Sequence, residues 1–203
     1  MAGIGVSGKD VVIKQSQLIL QAGGASQERV NRIAEQLEVL LPLVMVRDFD
    51  TFAETVRTLA AEDWELMTED ERAESGAETV EEYIEIALEG NLEAFQQESL
   101  ISLLNYDPYE DWQQTTVPVL AIFGELDLQV DPLQNLPPMA EALLSGGNGD
   151  VTFVVIPGAN HLFQKATTGH PDEYFELPPE FTGDFLPTIS TWLHNHIAAM
   201  NES

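Results

Sequence analysis

Residues 117–132 read VPVLAIFGELDLQVDP. The run VPVLAIFG is continuously apolar, of strand length, opened by Pro118 and closed by Gly124. A strand buried on both faces reads this way, because both sides of its pleat meet apolar neighbours. Polar chemistry follows at once in GELDLQVD, which places Asp127 three residues beyond Gly124. Further along, VTFVVIPG (151–158) repeats the pattern, and the loop after it, ANHLF, presents His161. Between the two runs, LPPMAEALLSGG reads as a helix ended by glycines. After the second, DFLPTISTWLHNHIAAM reads as a C-terminal helix with Pro187 in its first turn. Strand, helix, strand, helix implies parallel strands joined by right-handed crossovers, an α/β arrangement.

Residues 9 to about 105 have a different character and read as helices throughout. DVVIKQSQLILQ carries apolar residues at helical spacing before the Gly23-Gly24 stop. Ser26 is placed to cap QERVNRIAEQLEVLLPLVM, with Pro42 bending or ending it, and Asp50 to cap TFAETVRTLAAEDWEL. Thr68 with Glu71, and Thr79 with Glu82, each match the Ser/Thr-x-x-Glu capping box. No internal repeat and no low-complexity tract occurs.

Two strands make a poor parallel sheet. Such sheets need both faces covered and are normally wider, and here at least one edge is expected to be long, apolar and unpaired. The sequence therefore reads as the latter part of something larger.

The charge balance narrows the function classes. Thirty-five acids oppose eight bases, for a net charge of −27. Such a chain repels phosphate backbones and anionic lipid, so neither nucleic acid nor membrane is an expected partner. The acids are dispersed and densest in AAEDWELMTEDERAESGAETVEEYIEIALEG, which reads as a solvated helical surface; adaptation to high salt is the sharper alternative. The chain has no cysteine, which removes disulfides, thiolate nucleophiles and zinc-thiolate sites. MAGIGVSGKD lacks a basic region followed by an apolar one, so no signal peptide is read, and a cytoplasmic setting is the default expectation.

In an open parallel sheet, sites form at the carboxyl ends of strands. Asp127 and His161 follow two such ends, and neighbouring strands would bring them to one rim. An aspartate accepting from one imidazole nitrogen fixes the tautomer and stabilises the imidazolium, which leaves the other nitrogen to take a proton from a nucleophile. Asp131, also past the first strand, is the reserve candidate for the acid, and Glu125 flanks the position on the other side.

These residues, in this order, resemble the last two strands of the α/β-hydrolase family. VPVLAIFGELDLQVDP is similar to the segment bearing its acid, and VIPGANHLF to the segment bearing its histidine. The resemblance extends upstream. MAGIGVSGKDVVIKQSQLIL is similar to the entry into the cap helices of esterase- and aminopeptidase-like members, and SLISLLNYDPYEDWQQTTVPVLAIFGE to the return from the cap. The resemblance implies the C-terminal part of an α/β-hydrolase fold: residues 1–8 as the end of a core strand and a loop, 9–105 as a helical cap, and 106–203 as the C-terminal part of the core. It implies Asp127 as triad acid, His161 as triad base, and a serine hydrolase acting on an ester, amide or related acyl bond of a small molecule or short peptide. No cofactor and no metal is needed.

The nucleophile is the open position. The family sets it in Gly-x-Ser-x-Gly between a strand and a helix. The near match, GVSGK, has lysine in fifth place and too few residues before it to form the strand that would present Ser7. The expectation is a serine upstream of Met1, a missing N-terminal portion of the same fold, and no turnover by the chain alone. The alternative is a non-catalytic acidic interaction module with vestigial triad residues.

Other motifs carry less. GIGVSG (3–8) satisfies Gly-x-Gly-x-x-Gly but follows no strand, so a loop is expected in place of a dinucleotide site. His194 and His196 are two apart on a helix and point to different faces. His170 and Asn160 read as loop and turn residues.

Overall fold

The computed structural model describes residues 3–202. In chain order its helices are α1 (Gly8–Ala22), α2 (Gln27–Met45), α3 (Phe49–Leu66), α4 (Glu69–Ser75), α5 (Val80–Phe95), α6 (Glu98–Leu104), α7 (Tyr109–Gln114), α8 (Pro132–Ser145) and α9 (Phe185–Glu202). Two strands, β1 (Val119–Gly124) and β2 (Val151–Ile156), form the one sheet among the described residues. Helix takes 62% of the chain, so the α/β class, and with it the C-terminal part of an α/β-hydrolase fold, is corrected to a mostly helical chain with a small parallel pair. The physical reason is the length of the sheet elements. Two six-residue strands pair only with each other, so they are a local feature of a helical chain and not its organising layer.

The chain divides into two compact units, Asn31–Tyr106 and a second made of Met1–Val30 with Asp107–Ser203. α1 thus belongs with the strands. Residues 3–7 form no strand, and the part of the expected core strand at Met1 and Ala2 lies outside the described residues, as does Ser203.

In the unit Asn31–Tyr106, α2 and α3 turn apolar residues inward at helical spacing. Leu37, Leu41 and Val44 of α2, and Phe52, Val56 and Ala60 of α3, are buried. Phe52 meets the edge of Phe95 on α5 at 5.8 Å. Pro42 lies inside α2 without ending it. The cap of α3 is Asp48, whose carboxylate accepts from Thr51 N–H, and not the expected Asp50. Thr68 and Glu71 form the reciprocal capping box. Thr79 caps α5 through Glu82 N–H, but the Glu82 carboxylate turns to the N–H of Glu78.

One buried charge organises this unit. Asp63 is 5% exposed. It accepts from the Arg32 guanidinium on one oxygen and from the Tyr83 hydroxyl at 2.7 Å on the other. A buried carboxylate is tolerated because both oxygens are met. Arg32→Met is expected to leave Asp63 buried and uncompensated, costing about 3–5 kcal/mol in denaturant unfolding. Tyr83→Phe, which removes the hydroxyl bonded to Asp63, should cost about 1.5–3 kcal/mol.

In the other unit, Ser7 caps α1 by accepting from Asp10 N–H, and its hydroxyl donates to the Asp10 carboxylate at 2.6 Å. The adjoining loop is held by Gly5 N–H on Asn135 Oδ1 and by the Trp112 indole on Ile4 C=O, each at 2.8 Å. β1 and β2 are parallel and in even register, from Val119 opposite Val151 to Gly124 opposite Ile156. Before β2, Asn148 is buried, its amide donating to the carbonyls of Thr115 and Val117 while its oxygen accepts from Asp150 N–H.

α9 is tied to the sheet by Trp192, whose indole donates to Thr152 Oγ1 at 3.2 Å, and by His196, whose Nε2 lies 3.0 Å from Asp150. The Asp150 carboxylate, with help from the Trp192 carbonyl, raises the His196 pKa above the usual imidazole range. A raised histidine contributes stability that is whole below its unfolded pKa of about 6.5 and fades as pH climbs through the folded value. The difference in unfolding midpoint between the wild type and His196→Gln should therefore be largest below about pH 6.5 and shrink as pH rises. A difference that grows with pH would contradict this.

Candidate active site

The even register of β1 and β2 ends both strands at one level, and the two chemical loops leave from there. Gly124 makes this possible. A Cβ at this position would lie 2.4 Å from the Ala159 carbonyl oxygen and 2.6 Å from that of Asn160, so any side chain would force the loops apart. Leu126 N–H then bonds the Ala159 carbonyl at 2.8 Å, and the Glu125 carboxylate accepts from Gly158 N–H, stitching one loop to the other.

Asp127 sits in the first loop, 6% exposed. Its Oδ1 accepts from the backbone N–H groups of Gln129 and Val130 at 2.9 and 2.8 Å, which fixes the carboxylate plane. His161 Nδ1 approaches both oxygens, at 2.9 Å from Oδ2 and 3.1 Å from Oδ1. A carboxylate only accepts, so Nδ1 carries the proton and Nε2 keeps its lone pair. No hydrogen bond from the described residues reaches Nε2.

The second loop is built around Asn160, which sequence reasoning treats as a plain turn residue. It is fully buried. Its oxygen accepts from Leu162 and Gln164 N–H, and its amide donates to Gln164 Oε1. This ring of bonds gives His161 a single backbone setting, with Gly158 in the left-handed region at φ 65° where the loop turns off β2. Tyr174, also absent from the sequence reading, joins the two loops. Its hydroxyl accepts from the Gln129 side chain at 3.0 Å, and its carbonyl accepts from the Gln164 side chain at 3.3 Å. Burial pushes the phenol above its ordinary pKa, the Gln129 bond opposes this, and the Asp127 charge adds to it, so Tyr174 stays protonated near neutral pH.

A cavity of about 610 Å³ opens beside the pair. Asp127 and His161 line it together with Trp112, Phe123, Met139 and Phe185. Most of its lining side chains are apolar, with Asp127 and His161 among them as the polar groups, the usual character of a small-molecule site.

The other sequence candidates are placed elsewhere. Asp131 caps α8, accepting from Leu133 N–H, and pairs with Lys14 at 3.8 Å. Glu125 is engaged with Gly158, and Ser7 with Asp10. His170 caps the short 3-10 turn Pro171–Phe175, and His194 bonds the Ser190 carbonyl of its own helix. Among the described residues no group of three His, Asp or Glu side chains is placed to hold a metal ion.

Comparison with family models, curated proteins and solved structures finds no match to this chain. No helix among the described residues is long and apolar enough to cross a membrane. The geometry of the pair is therefore what speaks to function.

In nitrogen spectra of the neutral ring, His161 is expected to show the Nδ1–H tautomer, and Asp127→Ala to shift it toward Nε2–H. Tyr174→Phe should keep the tautomer while lowering stability by about 1 kcal/mol in urea unfolding. A wild-type ring protonated on Nε2 would break the assignment.

Proposed function

We propose that Asp127 and His161 are the acid and the base of a serine hydrolase acting on an ester, amide or related acyl bond. The observation that carries this reading is the fixed contact at 2.9 Å between His161 Nδ1 and a carboxylate that two backbone N–H groups hold in place. His161 thereby presents a free Nε2 at a cavity lined mostly by apolar side chains. The resemblance of the GELD and GANH segments to the α/β-hydrolase family points the same way.

The chemistry follows from the pair. Nε2 takes the proton of an attacking hydroxyl as its oxygen bonds the acyl carbon, and the Asp127 charge stabilises the imidazolium that forms. The imidazolium returns that proton to the leaving group. In the second half Nε2 activates water in the same way, and the acyl group leaves as the acid. The reading takes the chain as carrying acid and base without the nucleophile, since the Ser7 hydroxyl is held by Asp10. A small molecule or short peptide is the substrate class, and no cofactor enters the steps.

Among the described residues no hydroxyl is bonded to Nε2 and Ser7 is held by Asp10, which favours a second reading, a non-catalytic acidic interaction module that retains the pair as structure. An added alcohol separates the two. With p-nitrophenyl acetate alone the chain should match the background rate. With ethanol supplied as the missing hydroxyl, ethyl acetate should form at least about tenfold faster than background, a small share of what a positioned general base gives. His161→Ala should abolish the gain, and Asp127→Asn should remove most of it. No gain, or a gain that survives His161→Ala, decides for the module. Labelling of Ser7 by a serine-directed phosphonate would place the nucleophile in this chain and overturn that part of the proposal.

A further inference from the structure

The helical unit Asn31–Tyr106 holds a cavity of its own, of about 160 Å³, between α2, α3 and α5. Its lining positions recur three or four residues apart on each helix, so each helix contributes one face. Leu37 and Leu40 of α2, with Val56 and Ala60 of α3, are buried and form the floor. Gln36, Tyr83 and Asn91 are half-buried and stand where the cavity meets solvent. Ala60 and Ala87 keep the space open, because a longer side chain at either position would reach into it.

The chemistry of the lining selects an occupant. A buried water needs about two to four polar partners. The floor offers none, and both oxygens of Asp63 are taken by Arg32 and Tyr83. An ion fits no better. Arg32 already meets the Asp63 charge, so an added charge would be left without a counterion. Gln36 is different. Among the described residues no hydrogen bond reaches its side chain, which carries both N–H donors and a carbonyl acceptor. Asn91 is half engaged: its amide nitrogen donates to the Ala87 carbonyl at 2.7 Å, and no donor among the described residues bonds its oxygen. A hydroxyl, which both donates and accepts, answers these groups at the mouth, while an apolar body covers the floor. An apolar-floored space of this size takes about six to eight heavy atoms. We propose that the cavity is a binding site for a small neutral alcohol, with its hydrocarbon part against Leu37 and Val56 and its hydroxyl at Gln36. The proposal stands apart from the catalytic reading and uses neither Asp127 nor His161.

The probe is hexan-1-ol, titrated into the full chain and followed by the methyl signals of Leu37 and Val56. Both signals should shift and saturate. Hexanoate and hexylammonium bring an unpaired ion to the mouth, and each should bind at least about tenfold more weakly at high salt, where the surface charge is screened. Ala87→Leu places a side chain in the space and should abolish the shifts while the unfolding midpoint in urea holds or rises. Gln36→Leu keeps the floor and removes the polar partner. In it hexanol should bind about fivefold more weakly and lose its preference over toluene, which has as many heavy atoms and no hydroxyl. The proposal is overturned if the shifts do not saturate, if either ion binds as tightly as hexanol, or if hexanol keeps its full affinity in Gln36→Leu. Unchanged hexanol binding by a folded Ala87→Leu would place the alcohol elsewhere and overturn it as well.

Discussion

The parallel pairing of β1 with β2 is the interaction on which the candidate site depends. Neither chemical loop is rigid by itself. Asp127 gains its setting from a turn that starts at Gly124, and His161 from a loop that starts after Ile156. The register sets Gly124 opposite Ile156, so the two loops begin side by side. A shift of one residue would turn every side chain of one strand to the other face and part the carboxylate from the imidazole. The missing Cβ at Gly124 then lets the loops close to hydrogen-bonding range. Position, and not unusual chemistry, is what these short strands supply.

Much of this was legible in the chain. The two apolar runs ending in polar loops read as neighbouring parallel strands, and the structure brings Asp127 and His161 together at 2.9 Å. What misled was weight. Apolar runs announce a buried strand but not how many strands accompany it, and the α/β class drawn from them gives way to a chain that is mostly helix. The α3 cap illustrates a finer ambiguity: Asp48 and Asp50 are both acids before an apolar period, and only backbone geometry selects Asp48. Gln129 and Tyr174 left no signal, because their contact joins positions 45 residues apart, and Asn160, whose bonds lie within its own loop, reads only as a turn residue.

With eight bases against thirty-five acids, three of the arginines stand out for their contacts. Arg32 meets Asp63 and Glu71, and Arg47 forks onto Glu98. Arg72 donates twice to the Trp64 carbonyl while lying 5.0 Å from that indole's ring centre. Such contacts hold helices at chosen points while the remaining carboxylates repel one another across the surface, a repulsion that dissolved salt relieves.

Asn148 carries a consequence of a chemical kind. It is followed by Gly149, the neighbour that least hinders attack of a backbone nitrogen on an asparagine side chain. That attack ends in deamidation. In the folded chain the Asn148 amide nitrogen is held by two carbonyls and its oxygen by Asp150 N–H, so the carboxamide is not free to swing onto the next peptide nitrogen. Folding thus protects the residue, and each excursion out of the fold exposes it. The damage is also self-reinforcing. The aspartate product would set a carboxylate against the carbonyls of Thr115 and Val117, so an aged molecule returns less readily to the state that had shielded it. Asn148 keeps a chemical record of time spent unfolded.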